Sequence, residues 1–424
     1  MNRDDHLLLA ETGPDTAMGN LLRRYWTPFI LSSELAAGGA PVRVKLMGED
    51  LIAFRNTEGK VALFGERCAH RGASLFLAKN ADCKLRCWYH GWQYDLDGTC
   101  TDQPNEPPQT QFKQHVKQKA YPCAEKNGAV WTYLGPKDKQ PPLPDFEWLN
   151  VPESHVHVAK RIQHCHWTQG LEGDIDSSHL GFLHGHAISL PVNSNPAANL
   201  RLGKGAPEFS VKLTPGGLVQ ATRRRTDDGQ DYWRVGQWFY PGFTTIPPRG
   251  GDQPLQGHSW TPIDNGNSLV FTFTWHPARA LSEEELRRIN EGTNFHVHLA
   301  PGTFEPRANK ANEYVAPGFE NERQPWMRLK YFQDQDICMT ESMGPLYDRT
   351  QENLGNSDLV VVRTRGRLIE AARELARGTE PPGRLPSDYR LRPVSVLLPK
   401  DTPSWFDAVS EGMDAIPGTY REGV

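Results

Sequence analysis

The 424-residue chain has few cysteines, no excess of charge of either sign and no long apolar run. Its seven cysteines are an odd number and suggest no disulfide framework. Lys plus Arg number 47 against 51 Asp plus Glu, a net charge of −4, so nucleic acid has no electrostatic footprint to bind. No stretch approaches the length of a transmembrane helix, and the mean hydropathy of −0.61 agrees, so no membrane partner is expected. The opening Met-Asn-Arg-Asp-Asp-His leads only into a short Leu-Leu-Leu-Ala patch without a signal-peptide pattern, and a cytoplasmic location is expected. A Gly-x-Gly-x-x-Gly dinucleotide fingerprint is also missing, which sends any nicotinamide cofactor to a partner protein. What is plentiful is proline (34), glycine (38) and tryptophan (12), the composition of a turn-rich, strand-rich chain long enough for two domains.

Two short loops stand out: Cys68-Ala-His70 and Cys87-Trp-Tyr-His90, with sixteen residues between them. Two thiolates and two imidazoles are the donor set of a Rieske [2Fe–2S] centre, in which one iron takes two Cys and the other two His. Each loop then supplies one ligand to each iron. A structural Cys2His2 zinc site uses the same donors. The surroundings favour the cluster. Val42, Val44 and Leu46 alternate with polar residues, followed by apolar runs at 51–54 and 61–64, and Asp97-Gly98 marks a hairpin beyond the second loop. This is an antiparallel meander with the loops at its tips, more sheet than a zinc ribbon needs. Ahead of it, residues 13–31 read as a short helix with Pro14 early and Met18, Leu21, Leu22 and Tyr25 on one stripe. The proline-rich stretch 140–144 reads as the exit from this domain.

His-x-His pairs recur at 155/157, 164/166, 184/186 and 296/298. Alternate residues share a strand face, so each pair invites a metal reading, and without a second argument each is an ordinary strand histidine. The argument exists around Asp176, His179 and His184. Two His and one carboxylate on one face of a non-haem Fe(II) leave positions open for O₂ and substrate. Glu172, Asp176 and His179 fall on one helical face, but His184 is about 140° further round an ideal helix. A shared iron therefore requires a break or π-type turn, expected at Gly181.

With both motifs in hand, the chain resembles the oxygenase (alpha) component of the Rieske non-haem iron aromatic-ring-hydroxylating oxygenases, in the phthalate dioxygenase-like branch. Gly13-Pro-Asp-Thr-Ala-Met-Gly-Asn-Leu-Leu-Arg-Arg-Tyr-Trp26 and Glu341-Ser-Met-Gly-Pro345 also match it. The resemblance implies an α+β protein: an N-terminal helical segment (1–41) packed on the catalytic domain, an all-β Rieske domain (42–145), and a helix-grip catalytic domain (146–424) of antiparallel sheet with helices. It implies Cys68, His70, Cys87 and His90 as cluster ligands, and His179 and His184 as ligands of a mononuclear Fe²⁺. Asp176 becomes a bridge between His179 and His90 of a neighbouring subunit, which implies a homotrimer or a hexamer of trimers. The third iron ligand is placed at Asp358, in preference to Asp348 and Glu352, although by position alone Asp358 reads as a helix N-cap. It precedes an amphipathic helix with Leu359, Val362, Ile369 and Ala372 inward.

The resemblance further implies electrons from a separate NAD(P)H-dependent reductase carrying flavin and [2Fe–2S], and O₂ as co-substrate. The expected reaction is hydroxylation, as a cis-dihydroxylation, of a small aromatic carboxylate such as a phthalate isomer or a substituted benzoate. Arg225, Arg234 and Arg249 are the candidates for pairing with that carboxylate. The aromatic strands at 232–240 and 271–275 read either as pocket walls or as sheet core. Aromatic O-/N-demethylation or monooxygenation by the same irons is the alternative; an electron-transfer Rieske protein without oxygenase activity is the alternative of another class.

Overall fold

The computed structural model describes residues 1–107, 109–184, 206–226, 229–293, 295–315, 329 and 331–415. Helices α1 (Arg3–Ala10) and α2 (Ala17–Leu22) open the chain, capped by Asn2 and Thr16. The helix expected over 13–31 is shorter: Pro14 lies in the turn before it, and Trp26–Leu31 is a strand. Thr27, Pro28 and Ile30 resist helix, and this strand pairs with Ala129–Tyr133, far along the chain. The stripe of Met18, Leu21, Leu22 and Tyr25 is buried as the spacing requires.

Two four-stranded antiparallel sheets form the unit around the Cys/His loops. One holds Val42–Leu46, Glu49–Arg55, Val61–Gly65 and Ala120–Tyr121; the other holds Lys79–Ala81, Lys84–Arg86, Gln93–Tyr94 and Cys100–Asp102. Ile52, Phe54, Phe64, Leu85, Trp92 and Tyr94 make a core of their own, with Cys68 and Cys87 at its edge.

The second half is built on an eight-stranded antiparallel sheet in the order Val156–Gln163, Asn267–Trp275, Leu255–Asp264, Phe243–Ile246, Gln230–Phe239, Gly217–Arg225, Glu208–Thr214, with Val394–Pro399 also on Gln230–Phe239. Its two faces differ because side chains alternate along a strand. Phe271, Phe273 and Trp275 point into an aromatic core shared with the three-stranded sheet of Trp26–Leu31, Ala129–Tyr133 and Cys123–Lys126. There Trp148 stacks on Phe146 at 4.1 Å and on Phe273 at 5.0 Å, and Trp131 stacks on Phe243 at 5.8 Å. These aromatics are sheet core. The opposite face carries Thr222, Arg234, Thr244, His258, Thr272 and Thr274, an unusually polar surface for buried positions. Helix α3 (Trp167–Ile175) lies on it, and Gly170 makes that approach possible: a Cβ there would collide with the Trp260 ring.

After α3 come α4 (Leu180–Leu183), α5 (Glu283–Asn290), α6 (Phe332–Ser342), α7 (Leu359–Ala376) and α8 (Trp405–Met413). Helix α7 is rotated from expectation: Ile369 and Ala372 are buried, but Val362 is exposed, and Val360, Val361, Thr364, Arg365 and Leu368 face inward. Its register is set by charge. Arg365 donates to Glu172 on α3 at 2.7 Å and to Glu352 at 2.5 Å, and Arg349 donates to Glu172 at 2.9 Å and to Glu352 at 3.1 Å. Arg349 and Arg365 are fully enclosed by this square of alternating charges, which ties α3 to α7. Burial alone would raise the Glu172 carboxyl, but Arg349 and Arg365 hold it below its ordinary value. Arg365→Ala leaves Glu172 and Glu352 buried with one cation between them and is expected to destabilise this half by about 3–5 kcal/mol. A clearly lowered thermal midpoint is the predicted result; an unchanged one contradicts the network's structural role.

Candidate metal centres and the cavity between them

The two Cys/His loops are built alike. Cys68 N donates to Ala73 O at 2.9 Å and Gly72 N to Cys68 O at 2.9 Å; Cys87 N donates to Trp92 O at 2.8 Å and Gly91 N to Cys87 O at 3.0 Å. Gly72 and Gly91 both take positive φ, 74° and 76°, the conformation that closes each loop. The loops bring Cys68 and Cys87 together at the buried side and the His70 and His90 rings to 4.6 Å at the outer side. The two thiols act on one another: Cys87 beside Cys68 holds the Cys68 thiol below its ordinary range, and Cys68 pushes Cys87 up. Tyr94 Oη lies 3.1 Å from Cys68 Sγ, and Trp92 stacks on His70 at 4.1 Å. Two sulfurs inside and two nitrogens outside are the donor set of a Rieske cluster.

The second centre forms where α3 ends. Asp176 closes α3 with extended backbone, so the break lies at 176–178 and not at Gly181. The single turn α4 then carries His179 at its start and His184 at its end, both aimed at the same space. Their rings stand 5.0 Å apart. The carboxylate that meets them is Asp336, on α6: Asp336 Oδ1 lies 3.0 Å from His184 Nε2 and 3.7 Å from His179 Nε2. His179, His184 and Asp336 are the one group of three metal-capable side chains among the described residues whose donor atoms lie within 4.8 Å of one another.

Asp358 is elsewhere. Its carboxylate accepts from Gly355 N at 2.7 Å in the 3-10 turn ahead of α7; it stands at the N-cap position of that helix but caps none of its N–H groups. Asp348 likewise accepts from Thr350 N, and Glu352 and Glu172 are consumed by Arg349 and Arg365. Asp336 was missed because Gln333-Asp-Gln-Asp336 shows no metal spacing. The available signal was a helix that buries Gln333, Asp334, Gln335, Thr340 and Glu341, a polar face turned inward.

The donors fit a cation. His184 Nδ1 donates to Gln335 Oε1 at 2.8 Å, and that oxygen is fixed because Gln335 Nε2 donates to Leu329 O. The free nitrogen is then Nε2, fully buried and without a hydrogen-bond partner among the described residues although Asp336 is near. Lone pairs that converge without bonding one another are what a shared metal ion satisfies. His179 presents Nδ1 to Asp176 Oδ2 at 3.4 Å. Burial opposes charge on His179, but Asp176 and Asp336 outweigh it and raise its pKa. Asp176 is itself held below the ordinary carboxylate range, against burial, by His179 and by Ser178, whose N and Oγ both donate at 2.6 Å.

The cavity beside these residues is lined by Arg234, Arg249, Phe295 and Phe332. Arg234 is buried, donates from Nη2 to Pro247 O at 3.1 Å, and has no partner for Nε or Nη1 among the described residues. Arg225 is not there. Strand alternation turns it outward, where it is exposed and paired with Glu208 at 2.7 Å, while Thr222, the cross-strand partner of Arg234, and Arg224 face inward. Of the His-x-His pairs, His186 lies outside the described residues.

A family model described as a Rieske [2Fe-2S] domain matches residues 25–119, and one described as LigXa C-terminal domain like matches residues 132–406. The chain is 33% identical to the 3-chlorobenzoate-3,4-dioxygenase oxygenase subunit of Comamonas testosteroni, over 96% of this chain and 98% of that one. It is 34% identical to the phthalate 4,5-dioxygenase oxygenase subunit of Pseudomonas putida, over 95% and 94%. Its fold resembles the terminal oxygenase of carbazole 1,9a-dioxygenase from Novosphingobium sp. KA1, with a TM-score of 0.59, 24% identity, and coverage of 87% of this chain and 95% of that one.

Asp336→Ala is expected to lose the mononuclear iron while keeping two irons, two sulfides and the visible spectrum of the cluster. Asp358→Ala should keep all three irons. Iron and sulfide analysis with absorption spectra decides it, and the opposite pattern restores Asp358.

Proposed function

We propose, for a chain that belongs to the Rieske aromatic-ring-hydroxylating oxygenases, that its two metal centres serve the oxygenation of an aromatic carboxylate. The observation that carries the substrate class is Arg234: a buried guanidinium whose Nε and Nη1 have no partner among the described residues, lining the cavity of His179 and Asp336. Such donors are costly when unmet, and a carboxylate meets them with charge-assisted bonds. Arg249 lines the same cavity as a second cation, and Phe295 and Phe332 supply apolar walls for a ring.

Cys68, His70, Cys87 and His90 hold the [2Fe–2S] cluster; His179, His184 and Asp336 hold the Fe²⁺. When bound, the cluster supplies electrons one at a time and the mononuclear iron supplies the site where O₂ is activated. The chain's own residues do the rest. Gln335 fixes the His184 ring so that Nε2 faces the metal, and Asp176 does the same for His179. Ser178 occupies one oxygen of Asp176 and orients the carboxylate.

The assembly is a homotrimer in which Asp176 also accepts from His90 of a neighbouring subunit. Supporting this, Trp88 and Tyr89 beside His90 and Phe182 beside His179 are all exposed, aromatic surfaces suited to a second copy of the chain. Electrons come from a separate NAD(P)H-dependent reductase, since the chain has no dinucleotide fingerprint.

The test is a panel of phthalates, substituted benzoates and methoxybenzoates supplied with a surrogate reductase, NADH and labelled O₂. Products carrying label from the acids support the reading; oxidation of uncharged arenes in preference to the acids contradicts it. Methoxybenzoate demethylation without ring oxygenation would move the reading to the demethylases. Arg234→Met should raise KM for the acids about 10- to 100-fold with little change in kcat. Asp176→Asn should keep all three irons but slow reoxidation of the reduced cluster in a single turnover; unchanged reoxidation argues against the bridge.

A further inference from the structure

The His-x-His pairs 155/157 and 296/298 take no part in either metal centre, and His157 and His298 line a further cavity of about 320 Å³. It lies over the edge strand Val156–Gln163 of the eight-stranded sheet and shares no lining residue with the cavity beside His179 and Asp336. His157, Ala159 and Arg161 alternate along that strand and so share one face, with Thr272 opposite Ala159 on the neighbouring strand.

The lining is rich in donors and contains no carboxylate. Arg161 is only 3% exposed; it donates from Nε to Gln163 at 3.3 Å and from Nη1 to Thr272 at 3.2 Å. It makes no ion pair among the described residues. Burial pulls its pKa down to about 10, although Asp174 and Asp336 favour its charge from farther off. Its Nη2 makes no hydrogen bond among the described residues, yet it is not one of the sealed unpartnered atoms and is therefore open to solvent. The ring nitrogens of His157 and His298 are unpartnered and open in the same way. These imidazoles are not a metal site, since the one such group among the described residues is His179, His184 and Asp336. Lys160 is already met by Glu34 at 2.6 Å. A buried cation without a counter-ion, reachable through a cavity free of acids, selects an anion.

The walls decide which anion. Ile289, Val297 and Leu299 form an aliphatic side, which suits an organic acid better than a hydrated inorganic ion. One benzene ring fills a cavity of about 150 Å³, so a one-ring acid fits with room for its carboxylate. We propose that this cavity is a second carboxylate-binding site, in which Arg161 receives the carboxylate of a one-ring aromatic acid, apart from the acid held by Arg234. The choice of an aromatic acid rests on the reading above; the site itself does not.

The experiment is equilibrium dialysis of labelled benzoate against anaerobic holoenzyme, which counts bound acid per chain. Two benzoates per chain are expected. Arg161→Met should weaken one of them at least about tenfold and leave the other, and the three irons, in place. Ala159→Phe fills the cavity while keeping every charge and is expected to remove the same benzoate, which keeps the test open should the Arg161 variant fail to fold. Arg234→Met should weaken the other. One benzoate per chain, lost with Arg234→Met and untouched by Ala159→Phe, overturns the inference and leaves the aromatic-acid reading standing; so do two benzoates that both survive Ala159→Phe. One benzoate lost with Ala159→Phe and untouched by Arg234→Met upholds the inference and overturns that reading. Displacement of the Arg161-dependent benzoate by an equal concentration of phosphate marks an inorganic-anion site and overturns the inference, as does no binding at all.

Discussion

His179, His184 and Asp336 bring three donor atoms to one small space, and the catalytic half of this protein is arranged around holding them there. His184 Nε2 and Asp336 Oδ1 stand 3.0 Å apart without a hydrogen bond, with His179 Nε2 at 3.7 Å from the same oxygen. Each is fixed from behind: His184 by Gln335, His179 by Asp176, and Asp336 by its place on a helix that also carries Gln335. A single shared cation would meet all three donors at once.

The supports extend outward from there. Helix α3 must end at Asp176 for α4 to start where it does, and α3 is anchored at both faces. On the sheet side, Asp174 accepts from Thr244 Oγ1 at 2.6 Å, His258 Nδ1 at 2.9 Å and Trp260 Nε1 at 2.5 Å. Towards α7, Glu172 is gripped by Arg349 and Arg365. Two neighbouring carboxylates that look interchangeable in the sequence thus perform scaffold work, and the third, Asp176, is left to orient His179. The aromatic core on the other face of the sheet gives this polar layer a rigid floor.

Where chemistry is encoded by spacing, the sequence was readable. The Cys-x-His and Cys-x-x-His loops, the meander beneath them and the pair His179/His184 all stand as expected, because each depends on contacts within a few residues. What depends on long-range packing was not. Asp336 reaches the site only because α6 turns a polar face inward, and no local pattern distinguishes it from Asp358, whose capping position imitates a functional one. Arg225 was one residue away from the inward-facing Arg224, an error of strand parity that the outward Glu208 pairing resolves. The register of α7 followed a buried ion-pair network where hydrophobic periodicity alone would have turned Val362 inward. Trp26–Leu31 became a strand because its partner lies a hundred residues on.

The central claim is that one iron is held by His179, His184 and Asp336, apart from the cluster. Anomalous scattering at the iron edge from crystals of the holoenzyme tests it directly. The account predicts a single-iron peak within bonding distance of both His Nε2 atoms and an Asp336 oxygen, besides the paired-iron peak between Cys68, His70, Cys87 and His90. A mononuclear peak ligated by a different carboxylate, or no peak beyond the cluster, would contradict it.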